Sequence, residues 1–343
     1  MMTLGIETSC DETAVAVLKN GREILSDIVY SSLNEHKKYG GVVPEIASRS
    51  HLEVILPCLE ASLKKARVSP KDIDLVAVTQ GPGLMGSLLV GISAAKALAF
   101  SLKKPLVGVD HVLAHLYAGF LSEPRLRFPF LGLAVSGGHT MLVLMRGANK
   151  AEILGGTLDD AAGEAFDKVA KILGLGYPGG PEIDRLSRGE DPDKFFFSRP
   201  FLSSESLDFS FSGIKTAVYY RAERLKKTKP LTLQIKKQIS AGFQEAVCET
   251  LTRKAVRAMK KHGLKDCVVD GGVSANSRLR RMFQAAAQKE AFRAVFPPPA
   301  LCRDNAAMIA ALGTALYKTG RRDGLDLAGY ADFSDNKDVR FLR

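Results

Sequence analysis

Apolar residues first run over residues 3–8, break at the polar turn Ser9-Cys10-Asp11-Glu12-Thr13, and resume over 14–18. A third run, 22–30, follows Asn20-Gly21. Runs of this length divided by polar and Asn-Gly turns predict a three-strand meander. The spacing then turns helical over 46–66, and 74–79 reads as a short buried strand. Gly81-Pro82-Gly83 opens an apolar helix running to Leu102, and 105–109 is a further strand.

The second half starts in the same way. Strands are predicted over 130–135, 141–146 and 151–154, separated by Ser136-Gly137-Gly138-His139-Thr140 and Gly147-Ala148-Asn149-Lys150. A helical run, 161–173, follows them. A third glycine loop, Gly271-Gly272-Val273-Ser274-Ala275-Asn276, joins the strand 267–270 to a helix starting near Ser277, and a last helix spans 305–317. Two meanders, each followed by helical material, point to a duplicated α/β unit. Glycine turns at strand ends let a phosphate approach the main chain, so the three loops suggest a nucleotide held in a cleft between two lobes. None of them fits the P-loop or dinucleotide fingerprint.

With 343 residues, a two-lobed body is the natural expectation. The division expected is an N-terminal lobe over 1–108 completed by the helix 304–320, a C-terminal lobe over 109–303, and a tail over 321–343. The most apolar stretch, 84–102, is interrupted by Lys96, Gly86 and Gly91, and reads as a core helix with no role in a membrane. The N-terminus has no signal-peptide pattern. The five cysteines are scattered and form no Cys-x-x-Cys pair, which argues against a disulfide framework and a cysteine-held zinc. These features point to the cytoplasm. The net charge of +11 favours an anionic partner, with nucleic acid foremost. Arg221, Arg224, Lys226, Lys227, Lys229, Lys236 and Lys237 crowd one segment, and Arg253, Lys254, Arg257, Lys260 and Lys261 follow at helical spacing. Such a strip either tracks phosphates or is a solvated helix face.

His111 and His115 leave a strand and enter a helix four residues apart, which puts both imidazoles on one face at a spacing that suits a shared metal. The other reading is a pair that merely caps or packs the helix. Metalloproteases use His-Glu-x-x-His, with the glutamate as base, and Val112 stands at that position here. A protease would have to draw its base from elsewhere.

Longer motifs then come in order. They are Gly5-Ile6-Glu7-Thr8-Ser9-Cys10-Asp11-Glu12-Thr13, Gly40-Gly41-Val42-Val43-Pro44-Glu45, Gly81-Pro82-Gly83, and the run from His111 to His115. After these stand Ser136-Gly137-Gly138-His139-Thr140, Gly163-Glu164-Ala165-Phe166-Asp167-Lys168 and Tyr177-Pro178-Gly179-Gly180-Pro181. Asp208-Phe209-Ser210-Phe211-Ser212-Gly213 and Asp304-Asn305-Ala306-Ala307-Met308 close the set. With these, nearly end to end, the chain resembles the tRNA N6-adenosine threonylcarbamoyltransferase family (TsaD in bacteria), whose members once carried the label of sialoglycoproteases. Arg303 stands where the family usually has threonine, and Asp270 where small or apolar residues are commoner.

The resemblance implies an ASKHA, actin-like fold of two duplicated RNase H-like lobes. It implies one divalent metal ion per subunit, iron(II) or zinc, on His111, His115 and Asp304. Asp304 otherwise reads as a helix cap. The implied reaction transfers threonylcarbamoyl from threonylcarbamoyl-AMP to N6 of adenosine-37 in tRNAs reading ANN codons, releasing AMP. Ala134, Val135, Ser136, Gly137 and Gly138 would cradle the phosphate and carbamoyl groups. Asp167, Gly180 and Asp184 would line the nucleoside, and Asn276 would contact the adenine. Asp11 and Glu12 are candidates to orient or deprotonate the incoming amine, although Asp11 reads equally well as a turn residue bonding its own backbone. Partners implied are tRNA and, in a bacterium, an inactive TsaB-like paralogue and a TsaE-like ATPase, while mitochondrial relatives act as homodimers. A metalloprotease and an ASKHA-type small-molecule kinase are the competing classes.

Overall fold

Strand β1 (Met2–Glu7) is buried on both faces, and the residues around it explain why. It pairs antiparallel with β2 (Glu12–Lys19), which pairs antiparallel with β3 (Glu23–Ser31). On its other side β1 runs parallel to β4 (Leu75–Gly81), and β4 to β5 (Leu106–Asp110). Side chains alternate across a strand. Leu4, Ile6, Val15, Val17, Val76 and Val78 thus share one face with the helices Pro44–Ala66 and Met85–Leu102. Ala14, Ala16 and Leu18 turn the other way, onto Ala306, Ala307, Ala310 and Ala311 of the helix Ala306–Lys318. This computed structural model describes residues 1–200, 202, 205–336 and 339–341.

The face toward Ala306–Lys318 is made of small residues on both sides, which brings helix and sheet close. A Cβ on Gly5 would lie 2.3 Å from the carbonyl oxygen of Ala306, and one on Gly313 2.4 Å from the Cβ of Ala77. Thr3 and Thr314 hydroxyls meet across the same interface at 2.7 Å. The helix Met85–Leu102 is long and apolar enough by composition to cross a membrane, and it uses Leu88, Ile92, Ala95 and Ala99 in the core beside β4 and the helix Pro44–Ala66.

The second sheet repeats the first. Strand β6 (Phe130–Val135) pairs antiparallel with β7 (Thr140–Gly147), β8 (Lys150–Gly156) lies beyond β7, and β6 runs parallel to β9 (Asp266–Asp270). Strand β10 (Arg293–Val295) follows parallel to β9. The orders β3-β2-β1-β4-β5 and β8-β7-β6-β9-β10 correspond strand for strand, with β11 (Val339–Phe341) added beside β8. The expected duplication is therefore present in the topology. Its core joins Leu131, Leu133 and Val135 to apolar faces of the helices Ala162–Ile172, Ser212–Lys226, Leu233–His262 and Ser277–Glu290. The short strand β10 escapes sequence reading because three residues carry too little periodicity.

Two compact units result, one of Met1–Leu126, Gly147–Ala151 and Pro297–Arg340, the other holding Arg127–Arg146 and Glu152–Phe296. The division expected after residue 108 gives way to one after Leu126, and that expected after 303 to one after Phe296. The reason is packing: the helix His111–Tyr117 lies on the helix Ala306–Lys318, which belongs with the first sheet as expected. The expected tail 321–343 is largely integrated. Asp323 accepts from the Gly108 amide, the Gln80 amide donates to the Ala328 carbonyl, and Tyr330 and Asn336 donate to Asp110. Its residues 337, 338, 342 and 343 lie outside the described ones.

Replacing Gly5 by Ala should lower stability by about 1–3 kcal/mol, because the new methyl group meets main chain that cannot rotate away. Urea denaturation checks this; a midpoint equal to that of the unmodified chain would show that the helix can move off the sheet at little cost.

Candidate functional site

The buried strand β5 ends at Asp110, whose side chain accepts from the Leu113 amide and so caps the helix His111–Tyr117. The cap fixes where the helix begins, and with it the face shared by residues 111 and 115. The two rings sit edge to face, with centroids 4.8 Å apart. From the far end of the first unit Asp304 reaches them, its Oδ1 lying 3.1 Å from His115 Nε2 and 3.6 Å from His111 Nε2. All three donor atoms fall within 4.8 Å of one another. Two imidazole nitrogens and a carboxylate oxygen suit zinc or iron(II). Ligands about 2.0–2.2 Å from a common tetrahedral ion stand about 3.3–3.6 Å apart, close to the two Asp304 separations. The histidines are buried and Asp304 is half-buried. The reading of Asp304 as a helix cap is corrected here: Asn305 caps Ala306–Lys318 by accepting from the Met308 amide at 2.9 Å. Asp304 is left to face the histidines.

A residue that the sequence reading passed over organises this set. Glu7, wholly buried at the end of β1, has Oε2 2.9 Å from His111 Nδ1 and accepts there from the Thr79 hydroxyl at 2.6 Å. Its Oε1 accepts from the Ser9 amide. A buried carboxylate needs such partners. Placing the His111 proton on Nδ1 toward Glu7 leaves the Nε2 lone pair for a cation, the usual outer support of a metal-bound histidine. Burial pushes the Glu7 carboxyl up, but the charge and hydrogen bond of His111 outweigh it and hold the group below its ordinary value. For His111 burial pulls the pKa down, and Glu7 and Asp304 more than reverse it. The signal was present in the sequence as a glutamate closing an otherwise apolar strand.

Asp11 and Glu12 stand on the loop between β1 and β2 in the same unit. The Asp11 carbonyl accepts from the Ser32 amide and hydroxyl, at 3.0 and 2.9 Å. His51 and Thr13 meet at 2.7 Å, and His51 Nε2 donates to the Cys10 carbonyl at 3.0 Å, so the loop is held along its backbone. Among the described residues no hydrogen bond links the Asp11 carboxylate to its own main chain, as the turn reading would require. Glu12 is pushed up to about 9, first by burial, then by the charges of Asp304 and Asp11 and a hydrogen bond with Asp11.

The second unit gathers the other candidates at the ends of β6 and β9 and the starts of three helices. Ala134 and Val135 close β6, and the Ser136 amide donates to the His139 carbonyl across the turn. Gly163 comes so close to this turn that a Cβ there would lie 2.6 Å from the Ser136 carbonyl oxygen. A Cβ on Gly137, Gly138 or Gly180 would meet nothing, so space lies open before these three backbones. Asp167 accepts from the Gly179 amide at 2.6 Å, at the start of the helix Gly179–Ser187, and burial raises its pKa. Asp184 Oδ1 accepts from the Ser277 amide and hydroxyl. Asn276 is heavily used within the protein: Oδ1 accepts from the Arg278 and Leu279 amides and caps the helix Ser277–Glu290, while Nδ2 donates to Gln244. Asp270, the departure before the glycine pair, accepts from the Gly271 amide. Helix starts carrying open glycines favour an anion.

Lys254 of the basic strip is corrected. It is fully buried and donates to the Ser206 and Asp208 carbonyls. Arg253 pairs with Glu249 and Lys260 with Glu290. In the Leu233–His262 part of the strip, Arg253, Lys254 and Lys260 thus have partners within the protein.

A family model described as TsaD, tRNA N6-adenosine threonylcarbamoyltransferase, matches residues 23–311. A protein of that name from Symbiobacterium thermophilum is 53% identical over 95% of this chain and 94% of its own length. Another from Thermosipho africanus is 51% identical over 93% and 96%. Among solved structures, a nucleotide-bound full-length HypF superposes with a TM-score of 0.63 over 93% of this chain and 46% of its own, at 15% identity. An activator of 2-hydroxyisocaproyl-CoA dehydratase from Clostridium difficile gives 0.52 over 93% and 97%, at 18%. These likenesses carry the actin-like ASKHA fold.

Glu7→Gln should weaken zinc or iron(II) binding by about 10–100-fold and also lower the thermal transition of the metal-free protein, because it removes one partner of a buried pair. A competition titration with a chelating dye measures it, and an unchanged affinity removes Glu7 from the support of His111. The metal-free protein should also lose stability as pH rises from about 4.5 toward about 9, since folded Glu12 keeps a proton that the unfolded chain has lost. Glu12→Gln should flatten that slope in urea melts, and an identical slope would place the ionisation elsewhere.

Proposed function

Because the chain belongs to the tRNA N6-adenosine threonylcarbamoyltransferase family and is a transferase acting on tRNA adenosine, we propose that its first unit holds the catalytic metal and its second the donor nucleotide. The observation carrying this reading is the convergence of His111, His115 and Asp304. The donor is threonylcarbamoyl-AMP and the acceptor is N6 of adenosine-37 in tRNAs reading ANN codons. A mixed anhydride is already activated, so attack by the adenosine amine at the carbamoyl carbon expels AMP with no protein nucleophile required.

His111, His115 and Asp304 would hold iron(II) or zinc, which would supply Lewis-acid polarisation when bound. Glu7 keeps His111 in the tautomer that presents Nε2, and the cap from Asp110 holds both imidazoles on one face. Ala134, Val135, Ser136, Gly137 and Gly138 cradle the phosphate and carbamoyl groups, supported by the open space before Gly137 and Gly138. Gly180 lines the nucleoside, while Asp167 and Asp184 offer ribose hydroxyls the carboxylate lone pairs that their helix-start contacts leave over. Asn276 presents the adenine with an edge already oriented by Gln244. Asp11 and Glu12 orient the amine. Glu12 accepts a proton only when ionised, and committing Asp304 to a cation offsets one of the charges that keep it protonated.

A TsaB-like paralogue and a TsaE-like ATPase are the partners of this reading, with a homodimer as the other arrangement. Two neighbouring helices of the first unit leave Leu52, Leu56, Leu89 and Phe100 between 54% and 72% exposed, which supports a protein partner there. None of the five cysteines is in a disulfide, which agrees with a reducing compartment such as the cytoplasm.

A reconstituted assay with threonine, bicarbonate, ATP, the adenylate-forming enzyme, the partners and unmodified tRNA should yield threonylcarbamoyladenosine. A metal-replete mixture that leaves tRNA unmodified would refute the reading, as would proteolysis or a phosphorylated small molecule as the product. His111→Ala should lower bound metal and transfer together, transfer by about 100-fold or more. Metal content equal to that of the unmodified protein would refute the ligand assignment.

A further inference from the structure

The helix Ser212–Lys226 buries Ile214, Val218 and Ala222, a narrow stripe at four-residue spacing. Much of the remaining circumference faces solvent, and its composition is unusual for a solvated surface. Tyr219 and Tyr220 stand 47% and 68% exposed, their ring centroids 5.5 Å apart and their planes at 65°. Neither hydroxyl is hydrogen-bonded among the described residues. Arg221, Arg224, Lys226, Lys227 and Lys229 are all exposed beside them.

Several basic side chains elsewhere in the second unit have acidic neighbours. Arg278 is clasped by Glu245, Arg253 by Glu249 and Lys260 by Glu290. In the segment 219–229 the single acid, Glu223, is taken by Lys226. Arg224, Lys227 and Lys229 have no ion-pair partner among the described residues. Arg221 lies over the ring of Phe195, 5.7 Å from its centroid. Residues 220, 224 and 227 follow helical spacing, so a large exposed ring and unpaired cations fall along one face. Uncompensated cations attract phosphates, and an exposed ring offers a base a stacking platform. A folded RNA with unpaired loop nucleotides presents both.

We propose that this face, from Tyr219 to Lys229, is a docking surface for the tRNA substrate. Arg224, Lys227 and Lys229 take the phosphate backbone, and Tyr220 stacks on an unpaired base. The proposal rests on the tRNA-modifying activity given above and locates part of its recognition in the second unit.

Binding of fluorescently labelled unmodified tRNA to the full-length protein, with its partners, over a salt series tests it. Arg224→Glu combined with Lys227→Glu should weaken binding more than tenfold and lower the slope of log K against log salt by about two. Tyr220→Ala should weaken it on the order of tenfold with the slope unchanged, and Tyr220→Phe should restore it. Bound metal should stay as in the unmodified protein throughout, which separates these effects from misfolding. Variants that bind tRNA with unaltered affinity and slope overturn the surface while leaving the tRNA activity standing. Variants that lose binding to anionic phospholipid vesicles but not to tRNA overturn it in favour of a membrane face. If the unmodified protein binds no tRNA, the underlying reading falls and the proposal with it.

Discussion

A carboxylate buried at the end of the central strand of the first sheet organises the candidate metal site. Glu7 is out of reach of water, so its charge has to be met by protein groups, and His111, Thr79 and Ser9 meet it. That requirement ties the end of β1 to the start of the helix after β5 and sets which nitrogen of His111 is left for a cation. The polar loop carrying Asp11 and Glu12 leaves β1 directly after this anchor. Glu7 therefore links the ligand set and the candidate acid–base loop through one strand.

The third candidate ligand is brought in by close packing. Small residues on β1, β2 and β4 meet alanines and Gly313 on the helix Ala306–Lys318, so helix and sheet approach where larger side chains would hold them apart. Asn305 accepts the capping duty at the start of that helix, and Asp304 is released toward His111 and His115. The division of labour between two adjacent residues is a matter of helix phase: the cap position is taken by the residue whose side chain can reach the Met308 amide.

The second unit uses the same sheet order and carries a different set of polar groups. Its glycine turn follows the strand equivalent to β1, and the starts of the helices after residues 161, 178 and 276 gather near it. Asp167, Asp184 and Asn276 there bind helix-start amides before they bind anything else. Rigid polar groups of this kind lose little freedom when a ligand arrives, which suits them to the donor-binding role proposed above. The positive charge is likewise divided. Lys254 and the paired cations of Leu233–His262 serve the fold, whereas Arg224, Lys227 and Lys229 near Tyr220 have no ion-pair partner among the described residues.

Much of this was legible in the order of residues. Alternation and turn chemistry marked both meanders, and four-residue spacing put His111 and His115 on one face. The collinear motifs carried the family and, through it, Asp304. Local patterns could not show that Asp304 and not Asn305 faces the histidines, nor that Glu7 supports His111, nor that Lys254 is buried. The contact between His115 and Asp304 spans 189 residues of chain, and periodicity reports only on neighbours within a turn or a strand. What the sequence by itself determined was which elements form and which residue types they carry. Tertiary packing decided which of those residues meet, because a buried charge or a tight helix–sheet contact is satisfied only by whatever the fold brings beside it.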